Sequence, residues 1–297
     1  MRKFIVSDLH GNGNVYKSIM YYLENISKNE EVVLYINGDL IDRGIDSADM
    51  LLDVKKRMIS NPFKIVYLGG NHELMMYQTY IDRIKGLDTS KSIWYFNGGW
   101  MTDRCLEETL DTKEKDLEMV DFISNLKIVH TFDEKINGKN IMLVHAAYPP
   151  ISNDYEKLRI KDNNAFVNYM VWTREKDCSV PITDNNYFTI VGHTPNKNMY
   201  GCEYHSDSNY LNIDGGCARY VTGNFSQNHS PLIEVCEGYL KVLTFNNDND
   251  IIYGNYFSDK TFTLFNDNEL NNERKYLNNS FKPRKLTFLK DDSIGYE

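Results

Sequence analysis

The feature that most constrains this chain is a succession of short apolar runs, each ended by a polar loop that carries an acid, an amide or a histidine. Lys3–Ser7, Val32–Ile36 and Phe63–Leu68 are the first three runs, all rich in β-branched or aromatic residues. Between them Val15, Ile19, Leu23 and Ile26 recur at helical spacing, and Ala48–Met58 and Glu73–Ile84 read as two further helices. Lys55, Lys56 and Arg57 place cations in the last turn of the second helix, where the dipole favours them. Short buried strands alternating with helices predict an α/β layered sheet. Such sheets hold their ligands at the C-terminal ends of the strands, where these loops fall.

Residues 86–140 read as mostly helical, with an acidic helix around Lys113–Asn125. Asn140–Val144, Tyr187–Val191 and Tyr210–Ile213 predict three more strands, and Leu232–Val235 with Tyr239–Phe245 a hairpin that closes the sheet. The Asn- and Asp-rich residues 246–297 read as a C-terminal extension of unknown role, appended to a domain spanning 1–245. No apolar run is long enough to span a membrane. The N-terminal residues lack the apolar stretch and small-residue cleavage site expected of a secretory signal, and the widely spaced Cys105, Cys178, Cys202, Cys217 and Cys236 contain no CxxC pair. Reduced thiols and a cytoplasmic location are the expectation. A net charge of −9 argues against a broad electrostatic grip on nucleic acid. An anionic ligand would have to be held locally, by metals or a few placed arginines.

The polar loops supply the means. Asp8-Leu9-His10-Gly11 follows the first strand, and a carboxylate beside an imidazole suits a first-row transition metal. Gly38-Asp39-Leu40-Ile41-Asp42-Arg43-Gly44 follows the second, joining two acids to an arginine whose planar fork matches phosphate. Gly70-Asn71-His72-Glu73 follows the third, while His145 and His193 end two later runs. Each motif alone reads equally well as a polar loop or a surface ion pair. The set is what carries weight: four of the seven histidines stand just past a strand-like run, whereas His130, His205 and His229 do not. If those ends meet at one edge, three carboxylate or amide oxygens and three imidazoles suffice for two metals sharing a bridging carboxylate.

These residues resemble the calcineurin-like metallophosphoesterases. Asp42-Arg43-Gly44 and the Glu after Asn71-His72 resemble the phosphoprotein phosphatase branch. Asn97-Gly98-Gly99-Trp100, His145-Ala146-x-Tyr148-Pro149, Trp172-Thr173-Arg174-Glu175, Gly192-His193-Thr194-Pro195 and Ile213-Asp214-x-Gly216 resemble its bacteriophage lambda type. The likeness spans roughly residues 1–245. It implies a sandwich of two mixed β-sheets flanked by helices, with the active site at strand C-terminal ends.

The same resemblance implies the roles. Asp8, His10 and Asp39 would hold one metal, and Asp39, Asn71, His145 and His193 the second. A hydroxide bridging them would attack phosphorus in line. His72 would protonate the leaving oxygen, oriented by Asp42, while Arg43 and Arg174 would hold phosphate oxygens. Two divalent ions are expected, manganese as first choice and iron or zinc as alternatives. The expected substrate is a protein or peptide phosphorylated on serine or threonine. Gly69 stands where that branch carries a phosphate-binding arginine, and diadenosine tetraphosphate hydrolases also lack it. That keeps a nucleotide phosphate open, as bis(5′-nucleosyl)-tetraphosphate or an RNA 2′,3′-cyclic phosphate end. Ala147 replaces an acid of the lambda type, with no evident consequence. A non-catalytic scaffold is the reading of another class, and intact ligand positions argue against it.

Overall fold

The computed structural model describes residues 1–277 apart from 61, 111, 151–154, 179–180, 207–208, 224–228 and 249. The first three apolar runs form β1 (Arg2–Val6), β2 (Val32–Asn37) and β3 (Lys64–Leu68), all parallel. Val6 stands beside Ile36, and Asn37 beside Leu68, so the three strands end nearly level. The predicted helices α1 (Gly13–Ser27), α2 (Ser47–Ile59) and α3 (Asn71–Ile84) connect or follow them. Helix α1 starts where the Asn12 side chain accepts from the Val15 amide.

Seven strands make the first sheet. The expected hairpin, β9 (Ser230–Cys236) and β10 (Tyr239–Phe245), joins through β9 to the free side of β1. β11 (Ile251–Ser258) and β12 (Thr261–Leu264) then extend the edge beyond β10. The final described helix, here α8 (Asp267–Arg274), returns to the body: Glu273 accepts from Tyr22 and from Lys241, both at 2.5 Å. The described part of the predicted extension is therefore built into the sheet, and 278–297 lie outside the described residues.

The second sheet holds β4 (Val129–Ile136), β5 (Lys139–Val144), β6 (Phe188–Val191), β7 (Glu203–His205) and β8 (Tyr210–Asn212), in the order β4-β5-β6-β8-β7. β5, β6 and β8 are parallel, so their C-terminal ends also share one edge. Strand β4 is an element that the reading of residues 86–140 as mostly helical did not single out. Its buried residues are Val129, Phe132 and Ile136, a spacing that imitates a helix face. The cause is an irregularity between Thr131 and Lys135 that resets the two-residue alternation. The rest of that segment is helical as expected, with α4 (Trp100–Thr109) and α5 (Thr112–Ser124). Two short helices, α6 (Ala165–Trp172) and α7 (Cys217–Val221), carry no strong sequence signal.

The two sheets pack face to face. Ile5, Val33 and Tyr35 point inward to meet Phe132, Leu143, Ile190 and Leu211 of the second sheet. Their neighbours Phe4, Val6, Leu34 and Ile36 point outward under Ile19, Leu23 and the other helix residues. The five cysteines are free, and no helix among the described residues is long and apolar enough to cross a membrane.

One glycine decides how closely the strand ends approach. Gly38, with φ +80°, carries the chain out of β2, and a Cβ there would lie 2.6 Å from the backbone N of Gly70 after β3. Gly38→Ala should therefore lower the unfolding free energy by more than about 1 kcal/mol, because it adds both a positive-φ penalty and a backbone clash. Urea denaturation checks this, and an unchanged midpoint would show that the two loops can separate freely.

Candidate metal centre

The loops that leave the parallel strands turn sharply, and their backbone records it. Eleven described non-glycine residues have positive φ, and six of them are Asp8, His10, Asp39, Asp42, Arg43 and His193. Each such residue costs roughly 1–3 kcal/mol and persists only where the surroundings fix it. Glu73 supplies much of that fixing. It is fully buried and accepts from the amides of Asp39 (2.9 Å), Leu40 (3.1 Å) and Gly70 (2.8 Å) and from the Tyr67 hydroxyl (2.7 Å). The loop after β2 is thereby tied to the start of α3.

The tightened loops bring most of the predicted donors together. Candidate ligand atoms fall into two groups, His10 with Asp39 and His72, and Asp39 with His145 and His193; within each they lie within 4.8 Å of one another. Asp39 belongs to both. Its Oδ2 is 3.5 Å from His10 Nε2, and its Oδ1 is 3.4 Å from His145 Nε2. Asn71 Oδ1 lies 3.1 Å from His145 Nε2 and 3.0 Å from His193 Nδ1. Asp8 falls in neither group. Its Oδ1 accepts from the His193 amide (3.0 Å) and its Oδ2 from the Ser7 hydroxyl (2.5 Å), while His72 comes into the first group.

The chemistry of this donor set fits metal ions. His145 Nδ1 faces the Asn37 carbonyl at 2.9 Å, His193 Nε2 the Trp172 carbonyl at 3.1 Å, and His10 Nδ1 the Ile41 carbonyl at 3.0 Å. Each carbonyl can only accept, so in a neutral ring the proton sits on that side and the opposite nitrogen carries a lone pair. Two such lone pairs converge on the Asn71 oxygen. That arrangement of acceptors calls for a shared cation. On the other side, the Arg43 guanidinium supplies positive charge, with Nη1 3.2 Å from His10 Nε2 and Nη2 2.9 Å from His72 Nε2.

The titration pattern agrees. Burial works against charge on Asp39, yet His145, His72 and His10 hold its carboxyl well below the ordinary carboxylate range. Burial likewise disfavours a charged His145, but Asp39 and Asp8 outweigh it and raise that imidazole to about 10. Burial, helped by the charge of His145, lowers His193 to about 2. Burial and the charge of Arg43 hold His10 well below the usual range. A metal taken by His145 must therefore displace a proton.

Beside the donors lies a buried pair. His72 Nδ1 is 2.6 Å from Asp42 Oδ2, and both side chains are sealed from solvent. Arg174 is half-buried at the wall of a cavity of about 170 Å³ that also includes Gly192 and Thr194, and its charge reaches His193. All ten predicted site residues thus surround one edge of the fold. Sequence reasoning did not assign roles to Glu73, Trp94, Thr102 or Asp214. Trp94 Nε1 donates to Asp42 Oδ2 at 2.7 Å and Thr102 Oγ1 to Oδ1 at 2.7 Å. Asp214 is buried at the end of β8, where burial and the nearby Asp39 push its carboxyl up to about 6. Glu73 and Asp214 sat inside quoted motifs; Trp94 and Thr102 carried no signal beyond their chemistry.

The family model of the calcineurin-like phosphoesterases matches residues 1–223. Among solved structures, a protein described as a diadenosine tetraphosphatase superposes with a TM-score of 0.50 at 14% identity, over 82% of this chain and 93% of its own. A serine/threonine protein phosphatase from Saccharomyces cerevisiae gives 0.45 at 13% identity, over 79% and 72%. No curated protein matches the sequence.

Metal analysis after gel filtration should find about two divalent ions per chain. Asp39→Asn should lose both, because Asp39 belongs to both groups, whereas His193→Ala should keep the one on the His10 side. Affinity should fall as pH drops below about 10, since protons then compete for His145. Equal loss of one ion in both variants would refute the sharing.

Proposed function

Since the chain belongs to the calcineurin-like phosphoesterases and is a phosphate-ester hydrolase, we propose that it is a two-metal phosphomonoesterase acting on phosphoserine and phosphothreonine in proteins. The observation that carries this reading is the buried pair of His72 and Asp42. A serine or threonine alkoxide is a poor leaving group and needs a proton as the bond to phosphorus breaks. A nucleoside polyphosphate leaves as a stabilised anion and needs no such donor. An imidazole held at 2.6 Å by a carboxylate is suited to the harder task.

Asp8, His10 and Asp39 would hold one ion, and Asp39, Asn71, His145 and His193 the other. When bound, such ions supply Lewis acidity that lowers the pKa of water and neutralises phosphate charge. The protein's own side chains do the rest. His72 delivers a proton from Nε2 while Asp42 keeps hold of Nδ1–H and balances the imidazolium. Arg43 now donates to His72 Nε2, the nitrogen that must face the leaving oxygen. Substrate binding would turn that guanidinium onto phosphate oxygens and free Nε2 to take up a proton from water, the proton it then delivers, with Arg174 contributing from the cavity wall. Manganese is the metal expected first. The free cysteines accord with a reducing cytoplasm.

A dinucleoside tetraphosphate is the second reading, and Gly69 favours it. A Cβ at Gly69 would lie 2.7 Å from Cδ1 of the fully buried Ile160. That contact is with the tip of a side chain and a rotation can relieve it, so it is the residue type at 69 that leaves phosphate binding to Arg43 and Arg174. Against a scaffold role stands the convergence of the donors with His72 and Asp42.

With manganese-loaded protein, a phosphothreonine peptide should turn over faster than diadenosine tetraphosphate. His72→Asn should slow the peptide reaction by about 100-fold or more with metal content unchanged. Faster turnover of the dinucleotide would reassign the substrate while leaving the metal centre in place.

A further inference from the structure

Asp42 accepts more than the bond from His72. Trp94 Nε1 donates to the same oxygen, Oδ2, at 2.7 Å, and Thr102 Oγ1 donates to Oδ1 at 2.7 Å. The amide of Arg43 reaches the Gly98 carbonyl at 3.4 Å. All three contacts come from one stretch, Trp94–Thr102, which contains a π turn at Tyr95–Gly99 broken by Gly98 at φ +96°. That turn brings a tryptophan and a threonine eight positions apart onto one carboxylate.

The carboxylate needs such support. Asp42 and Arg43 both have positive φ, at 74° and 72°, which two successive side-chain-bearing residues rarely share. Asp42 is also wholly buried, so neither oxygen can turn to water without losing a partner.

The stretch is itself gripped on both flanks. Tyr95, next to Trp94, and Asp103, next to Thr102, both bond to Arg83 near the end of α3, the Asp103 contact at 2.5 Å. Asp103 also accepts from Tyr80 and from the buried Lys115, each at 2.8 Å. The Tyr80 ring meets Trp94 edge-on at 5.3 Å. Helix α3 begins with Asn71 and His72 and ends at the arginine that clamps this stretch. One helix therefore sets both the donor and the support of its partner.

We infer that Trp94 and Thr102 are positioning residues that aim the Asp42–His72 pair, so that the π-turn segment controls proton delivery to the leaving group. The inference rests on the general-acid reading of His72 given above. It predicts a loss that depends on the leaving group. An alkoxide needs the proton, whereas p-nitrophenolate leaves without one.

Trp94→Phe removes one donor and keeps an aromatic ring; Thr102→Val removes one hydroxyl and keeps the shape. Each should lower kcat on a phosphothreonine peptide roughly tenfold, with a loss on p-nitrophenyl phosphate below about threefold. Metal content should stay at the wild-type level. In zinc-loaded protein labelled with 15N-histidine, the His72 Nδ1–H resonance should move upfield and exchange faster with water in both variants. Equal losses on the two substrates, or no change in that resonance, would overturn the inference. If Trp94→Phe does not fold, Thr102→Val decides alone. If wild-type protein hydrolyses neither ester, the phosphatase reading fails, and the His72 resonance still decides whether Trp94 and Thr102 position the pair.

Discussion

The site depends on Asp39 staying charged while buried. A carboxylate removed from water is unfavourable unless cations and hydrogen-bond donors surround it. Here burial does push the group toward neutrality, and three imidazoles together reverse it. Its Oδ1 accepts from the His72 amide at 3.1 Å, and its own amide donates to Glu73. Because Asp39 faces His10 with one oxygen and His145 with the other, the strands that carry those histidines must end at the same height. The near-level parallel ends of β1, β2 and β3, and of β5 and β6, are the structural answer to that single requirement.

Holding the strand ends level makes the connecting loops turn at once, and that is where strain collects. Six positive-φ side-chain-bearing residues lie at the site. None of them is stable by itself; each is held by bonds from a neighbouring loop. Glu73 clasps the β2 and β3 loops, Asp8 takes the His193 amide, and Trp94 and Thr102 hold the Asp42 turn. The strain is local, while its support reaches back into α3, α4 and the second sheet. This explains why so many buried polar groups, not apolar ones, surround the edge where the two sheets meet.

How much of this was legible in the sequence follows from the range of the signals. A strand end followed by Asp-x-His, by Gly-Asp-x-x-Asp-Arg or by Asn-His is a local pattern, and it survived folding almost unchanged. Asp8 shows the limit, since spacing placed it among the donors but could not show that Ser7 and the His193 amide engage its oxygens. β4 was not singled out, because an irregularity interrupts the two-residue alternation that marks a strand. Trp94 and Thr102 were invisible for a different reason. Each is an ordinary helix-segment residue until a π turn and an ion network deliver it to a carboxylate more than fifty positions earlier in the chain.

The distribution of charge also bears on how this chain meets a phosphate ester. With a net charge of −9, the surface as a whole repels a polyanion, so attraction must arise within a short distance of the site. The guanidiniums proposed above to meet phosphate are those of Arg43 and Arg174, and Gly69 supplies no third. Arg43 is in turn committed to two histidine nitrogens. On the function proposed above, substrate and metal would therefore act on the same guanidinium. A cation near His10 would repel it, a phosphate would attract it, and either change would release His72 Nε2. On that reading, the arginine that neutralises the phosphate would also determine when His72 is free, coupling recognition of the phosphoryl group to readiness for its transfer.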